Sequence, residues 1–375
     1  MNRRERVLQA IHHQETDFVP YNFHAVPAVW EKVCRHYGLG DNHQAMEFIG
    51  NHVVKVGSDF NYNPWADQVG KVELTLSGGP VRTDLDQGGA LHQDEFGCVW
   101  DRRGGLPHPV AYPLGEVSSP GELARALEDY TLPDPYRAGR FDQARQLADR
   151  YRGEVFLFGK LGMCLFERAW SIRGMSQLLM DMATYPEFVE ELLDRILYEW
   201  NLPIIDQQLA LGVDGFYFAD DWGTKTGLMF SPAMWRRFIK PRLAVIYQHC
   251  REAGVVVGQH SDGAVEQLFP DLIEIGLQVF NPLSPSVMDP ALIKEKYGQQ
   301  LTFYGGIDVE HTLPLGSPQE VRDEIRSRAK VMGKGGGYIL QSSHTILEDV
   351  PTENVVAYIE EVRCLAGLTQ YAGTL

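Results

Sequence analysis

The chain has 375 residues with an ordinary globular composition, 44% hydrophobic and 22% charged, long enough for one large α/β barrel with an extension or for two to three smaller domains. Its net charge of −16, with no basic run, excludes nucleic acid as an expected partner. No apolar run approaches the ~18 residues of a membrane span.

The first residues, "MNRRERVLQAIHHQE", are charged and amphipathic and lack the apolar core of a secretory signal, so a cytoplasmic location is expected. Five cysteines stand far apart, odd in number and without a CxxC pair. Reduced, mostly buried thiols are expected rather than a disulfide framework or an all-cysteine zinc site. A short run, "DFVPYNFHA", reads as an early strand. The stretch to about residue 150 is irregular and rich in Gly, Pro and aromatics, as in "NYNPWADQVGKVELTLSGGPVRTDLDQGG" and "DEFGCVWDRRGGLPHPVAYPL". Hairpins and long loops are expected there, a β-rich elaboration over 60–150. "SSPGELARAL" opens a helix with a serine cap and a proline in the first turn, and "LPDP" breaks the chain after it.

Beyond residue 150 short apolar runs alternate with longer amphipathic segments. The runs are "EVFLFGKLG", "GFYFADDWG", "VVVGQHSDG", "VFNPLSP", "LTFYGGID" and "GYILQSSH". Alternation of this length predicts a parallel sheet covered by helices. At least six units are visible, and the early strand helps to complete eight. A (β/α)8 TIM barrel with an N-terminal irregular, hairpin-bearing extension is expected, a single domain over 1–375. An open dinucleotide-binding sheet fits less well, since no GxGxxG or GxxxxGK[ST] follows an early strand.

Polar residues cluster at the C-terminal ends of these runs: Glu167, Asp220 and Asp221, His260 and Asp262, Asn281, Asp308 and His344. That rim is where barrel active sites are built. Any one of them could be a turn or cap residue, Asp308 in "GGIDVEHT" most readily, but a full ring of caps on one face is harder to explain. His260 and Asp262 flank Ser261, and residues i and i+2 of an extended strand point the same way. With His344 from a later strand end, and Glu167 or Asp220 from earlier ones, they offer imidazole and carboxylate ligands to zinc. A cap at Asp262 and a metal-free pocket around His344 stand as the alternative. Two adjacent carboxylates, Asp220 and Asp221, suit acid–base work or a structural pair. Tyr217, Trp222, Tyr304 and Phe280 lie near the same rim, as walls for a flat ligand or as barrel core.

Several stretches are similar to the uroporphyrinogen decarboxylase superfamily: "RERVLQAIHHQETDFVPYNF", "DDWGTKTGLMFSPAMWRRFIKPRL", "FPDLIEIGLQVFNPLSP", "LTFYGGIDVEHTLPLGSPQEVRDEIR" and "GGGYILQSSHTILEDVPTENVVAYIE". The resemblance implies a (β/α)8 barrel. In the decarboxylase branch an opening close to RQAGRY binds acidic substrate side chains; here the matching region reads "VPYNFHAVPAVWEK", without those arginines. The cobamide-dependent methyltransferase branch resembles His-x-Cys with a distant Cys seven residues before a proline. Here these positions are His260-Ser261-Asp262 and His344, seven residues before Pro351. Decarboxylases also carry a histidine at the distant position, so His344 alone does not discriminate.

The resemblance implies a zinc ion on His260, Asp262 and His344, with both thiolates replaced. Nitrogen and oxygen ligands leave zinc a stronger Lewis acid toward oxygen substrates. The implied reaction is O-demethylation of a methoxylated, aromatic small molecule onto a cob(I)alamin corrinoid carried by a partner protein. Asp220, Asp221 and Glu167 are then the catalytic candidates, and Tyr217, Trp222, Asn281 and Tyr304 the substrate-binding ones. The corrinoid is assigned to a partner because the chain shows no DxHxxG motif. A homo-oligomer is compatible with the sequence. Decarboxylation and methyl transfer to a thiol are the alternative activities, and a ligand-binding barrel without catalysis is the third.

Overall fold

The computed structural model describes residues 1–58, 75–76, 79–80, 91–101, 103 and 107–368. All six apolar runs are strands of one sheet, joined by an earlier strand. In chain order they are β1 (Val53–Gly57), β2 (Phe156–Leu161), β3 (Gly215–Ala219), β4 (Val256–His260), β5 (Val279–Leu283), β6 (Thr302–Ile307) and β7 (Tyr338–Ser342). The sheet is parallel throughout and its spatial order equals its sequence order. Helices fill the connections as the 3.6-residue periodicity predicts. Pro318–Met332 starts with a Ser317–Glu320 capping box, and Pro120–Asp129 is capped by Ser119. The helices Pro186–Arg195 and Leu202–Leu209 are joined by a π-helical stretch, Ile196–Asn201.

The closed eight-stranded ladder does not form among the described residues. The sheet is a curled, TIM-like array of seven strands. The early run "DFVPYNFHA" contributes isolated bridges, Tyr21 to Leu340 and Ala25 to Ile346, and the His52 amide donates to the Tyr21 carbonyl. It thus lies between β7 and β1 without joining a continuous ladder. Pro20 lacks an N–H, and the Asn51 side chain, rather than its backbone, pairs with both the amide and the carbonyl of Phe23.

Alternation along each strand divides the core in two. Val53, Phe156, Phe158, Tyr217, Val256, Val279, Tyr304 and Ile339 pack together inside the curl, with Val7 and Ile11 of the helix Arg3–Ile11 against them. The opposite faces, including Leu157, Phe216, Phe218, Val257, Phe280, Phe303 and Leu340, pack under the covering helices. Four of the inward positions that follow in register toward the C-terminal strand ends are polar: Lys55, Lys160, His260 and Asn281. The sheet therefore has an apolar base and a chemically equipped mouth.

Of the expected hairpins, those over 61–89 lie outside the described residues apart from a two-residue antiparallel pairing, Thr75–Leu76 with Gly79–Pro80. Leu91–Gln93, Val99–Asp101 and His108–Ala111 form a three-stranded antiparallel sheet. Asp94 accepts from the amides of Phe96 and Cys98 and from the Trp100 indole, and lies 3.5 Å from Arg168 of the helix Phe166–Arg173. That buried pair ties the extension to the helix that carries Glu167. All five cysteines are free thiols.

Candidate active site

A cavity of about 340 Å³ opens at the C-terminal ends of the strands, lined by His24, Lys55, Lys160, Met163, Glu167, Tyr217, Asp221, His260, Asp262 and His344 among others. Among the described residues, His260, Asp262 and His344 are the one group able to share a metal ion, their ligand atoms all within 4.8 Å of one another. His260 ends β4. Asp262 follows two residues on, and His344 stands two residues past the end of β7. Nε2 of His344 is 3.7 Å from an oxygen of Asp262, and both side chains are 43% exposed, so the group faces the opening.

His260 is oriented from behind. Its Nδ1 lies 2.6 Å from Oδ1 of Asn281 and 2.9 Å from the Tyr217 hydroxyl; Tyr217 also donates to that Asn281 oxygen. The Asn281 Nδ2 donates to the Tyr304 carbonyl at 2.8 Å. A backbone carbonyl only accepts, so the amide nitrogen faces Tyr304 and the amide oxygen faces His260. Nδ1 of His260 therefore carries the proton. Its Nε2 is turned toward the cavity, 3.7 Å from Asp221. Metal-binding histidines are commonly held this way. The donor set of two imidazoles and a carboxylate suits zinc.

The adjacent carboxylates of "DDWG" face different surroundings. Asp220 is fully buried and absent from the cavity wall. Its carboxylate accepts from the amides of Leu165, Phe166 and Glu167 at 2.8–3.2 Å and from the Trp222 indole at 2.8 Å. It thus fastens the start of the helix Phe166–Arg173. Burial pushes its pKa up to about 6, against the lowering effect of those N–H donors; all four of these contacts are N–H groups, which a carboxylate accepts. Asp221 faces the cavity, accepts from the Asp262 amide at 2.8 Å, and is raised by burial, with the His260 ring opposing. Glu167 lies on the wall beside it; burial, then Asp221 and Asp220, hold its carboxyl well above the usual range.

Of the four expected substrate contacts, Tyr217 lines the cavity. Asn281 serves His260. Trp222 is fully buried against Trp235, and Tyr304 is buried in the inner core. Asp308 caps its own turn, accepting from the amides of Glu310 and His311.

The loops that carry these groups meet closely. A Cβ at Gly223 would lie 2.4 Å from the Asp262 carbonyl, and Gly263 has φ +86 with the backbone of Gly223 and Thr224 against it. Only glycine allows that approach and that conformation.

Sequence reasoning missed His24, Lys55 and Lys160. Lys160 was visible as a lysine inside "EVFLFGKLG", near a strand end where polar residues mark the mouth. Lys55 occupies the same kind of position in "HVVKVGSD". His24 lies in the stretch matched against the decarboxylase arginines, where their absence drew attention away from the histidine. Burial, then Lys55 and Lys160, holds the His24 imidazole well below its usual range.

Known proteins provide three comparisons. The family described as "Uroporphyrinogen decarboxylase (URO-D)" matches residues 111–365. Among curated proteins, the uroporphyrinogen decarboxylase of Actinobacillus succinogenes is 22% identical over 260 residues, covering 66% of this chain and 70% of that protein. That of Legionella pneumophila subsp. pneumophila (strain Philadelphia 1) is 24% identical over 231 residues, covering 59% and 62%. Among solved structures, a methyltransferase from Methanosarcina mazei superposes with a TM-score of 0.68 at 16% identity, covering 98% of this chain and 99% of its own. That likeness concerns the fold. Among the described residues no helix is long and apolar enough to cross a membrane.

Proposed function

The chain belongs to the uroporphyrinogen decarboxylase (URO-D) family, and from that premise we propose that it is a zinc-dependent methyltransferase acting in O-demethylation. It moves a methyl group from a methoxylated, aromatic small molecule to a corrinoid carried by a separate protein. The observation that carries the reading is the convergence of His260, Asp262 and His344 at the cavity mouth, with His260 oriented by Asn281.

These three side chains would hold the ion, which would supply Lewis acidity toward an ether oxygen. Tyr217 and Asn281 fix the His260 tautomer. Glu167, protonated at a higher pH than an ordinary carboxyl, supplies a proton to the departing oxygen, which leaves as the hydroxyl of the product; Asp221, on the same cavity wall, relays a solvent proton that restores Glu167 after product release. Asp220 acts at one remove, placing Glu167 through the amides it binds. Tyr217 forms the aromatic wall; Trp222 and Tyr304 act behind it as packing.

The test is methyl transfer from a panel of methoxyarenes to a cob(I)alamin protein. Parent enzyme is expected to demethylate, and His344→Ala to lose the activity while keeping its fold. Full activity in His344→Ala overturns the site. Porphyrinogen turnover by the metal-free protein would establish decarboxylation instead.

A further inference from the structure

Gln259 is out of keeping with its layer. It points under the covering helices, where its ladder neighbours Phe218 and Phe280 are apolar, as is Val257 two residues back on the same face. Yet it is 0% exposed. A buried amide is costly in such a layer unless it is hydrogen-bonded, and a leucine would fill the place without that demand. The bonds it makes are specific. Its Nε2 donates to the His260 carbonyl at 2.8 Å. A carbonyl only accepts, so the amide nitrogen faces His260 and the amide oxygen faces away. That oxygen accepts from the Tyr247 hydroxyl at 2.7 Å. Tyr247 is also 0% exposed and belongs to the helix Lys240–Glu252. The same His260 carbonyl accepts from the Asp220 amide at 3.1 Å, and the Ser261 amide donates to the Asn281 carbonyl at 2.9 Å. Both polar groups of the His260–Ser261 peptide are therefore held, and the bond from Gln259 is the one that leads to the helical layer.

We propose that Tyr247 and Gln259 are positioning residues for His260, a hydroxyl–amide relay that fixes its peptide from the helical side. The imidazole turns on that peptide through two side-chain torsions, and its Nδ1 must meet Oδ1 of Asn281, 2.6 Å away, on the cavity side. A peptide free to rotate would swing the ring off that partner. Neither Tyr247 nor Gln259 lines the cavity, so both act through His260 and not on a ligand. The relay rests on these hydrogen bonds alone; its consequence for zinc rests on the function proposed above.

The purified full-length protein, labelled with 15N-histidine and stripped of metal by chelator, is examined by NMR. A downfield, exchange-protected proton on Nδ1 of His260 is expected, identified by its loss in His260→Gln. Tyr247→Phe and Gln259→Leu should each move that proton upfield, and on titration with zinc each should weaken binding by at least about 3-fold, less than the ~10–100-fold typical of a group that touches the ligand itself. Both variants also lose a buried hydrogen bond, so a fall in stability alone decides nothing, and Cys250→Ala supplies the comparison. Cys250 is buried on the same helix and takes no part in the relay. Its variant should unfold at lower urea while keeping the parent's His260 proton and zinc affinity. A His260 proton unmoved in both relay variants, one missing from the parent, or one moved as far by Cys250→Ala overturns the proposal. A proton that moves as expected in a protein that takes up no zinc sinks the proposed function alone. Zinc bound by the parent, with the proton unmoved in both variants, sinks the relay alone.

Discussion

Replacing Asp220 by asparagine tests whether this carboxylate is a strut or a catalyst. Each of its oxygens accepts two bonds: Oδ1 from the amides of Leu165 and Glu167, Oδ2 from the amide of Phe166 and the Trp222 indole. Asparagine keeps one oxygen and turns an NH2 group toward the other two donors. Two bonds to a charged acceptor are lost in a fully buried place, at roughly 1.5–3 kcal/mol each. A loss of ~3–6 kcal/mol is expected, a large share of the ~5–15 kcal/mol that holds a folded domain. Urea unfolding followed by tryptophan fluorescence reads this directly, because Trp222 donates to the altered group. The midpoint should fall without a change in slope. An Asp220→Asn protein within about 1 kcal/mol of the parent that nevertheless lost activity would refute the strut and restore a chemical role.

Asn281→Ala removes the acceptor that orients His260. Zinc affinity, measured by competition with a chromophoric chelator, should fall ~10–100-fold; unchanged affinity would detach Asn281 from the metal site. Gly223→Ala places a Cβ 2.4 Å from the Asp262 carbonyl, so stability should drop by ~1–3 kcal/mol and zinc affinity with it; a neutral outcome in thermal unfolding would mean that the two loops do not pack as described. His52 supplies a pH test far from the mouth. It is 1% exposed, accepts from Arg6 at 3.1 Å through Nε2, and burial, then Arg6, lowers its pKa to about 3. Between pH 6.5 and 3 the unfolded chain therefore takes up a proton that the folded chain refuses. Stability contributed by neutral His52 is complete above pH 6.5 and declines as the pH falls, by ~2 kcal/mol at pH 5. A His52→Gln variant should show a shallower acid branch in urea titrations; an unaltered slope contradicts the assignment.

The strand–helix rhythm after residue 150 was legible because each strand there is a compact apolar run followed by an amphipathic segment. The polar mouth was legible for the same reason, and His260, Asp262 and His344 meet at the cavity as strand-end residues should. The division of labour within "DDWG" was not. Asp220 and Asp221 are neighbours on a chain leaving a strand, and adjacent residues point apart; one turns to the helix Phe166–Arg173 and the other to the cavity. Trp222 goes with Asp220, since its indole needs a buried acceptor. The early chain hid its contribution because β1 is separated from β2 by about a hundred residues without alternation, so Lys55 had no frame to place it. His24 lies on a segment that touches the sheet only through isolated bridges.

The central claim is a metal site of two imidazoles and a carboxylate, with no thiolate. Zinc K-edge absorption on the purified protein tests it most directly. The expected result is about one zinc per chain, a first shell of nitrogen and oxygen only, and loss of the signal in His260→Ala with the fold intact. A sulfur shell, or a folded protein that takes up no zinc when it is supplied, would contradict it.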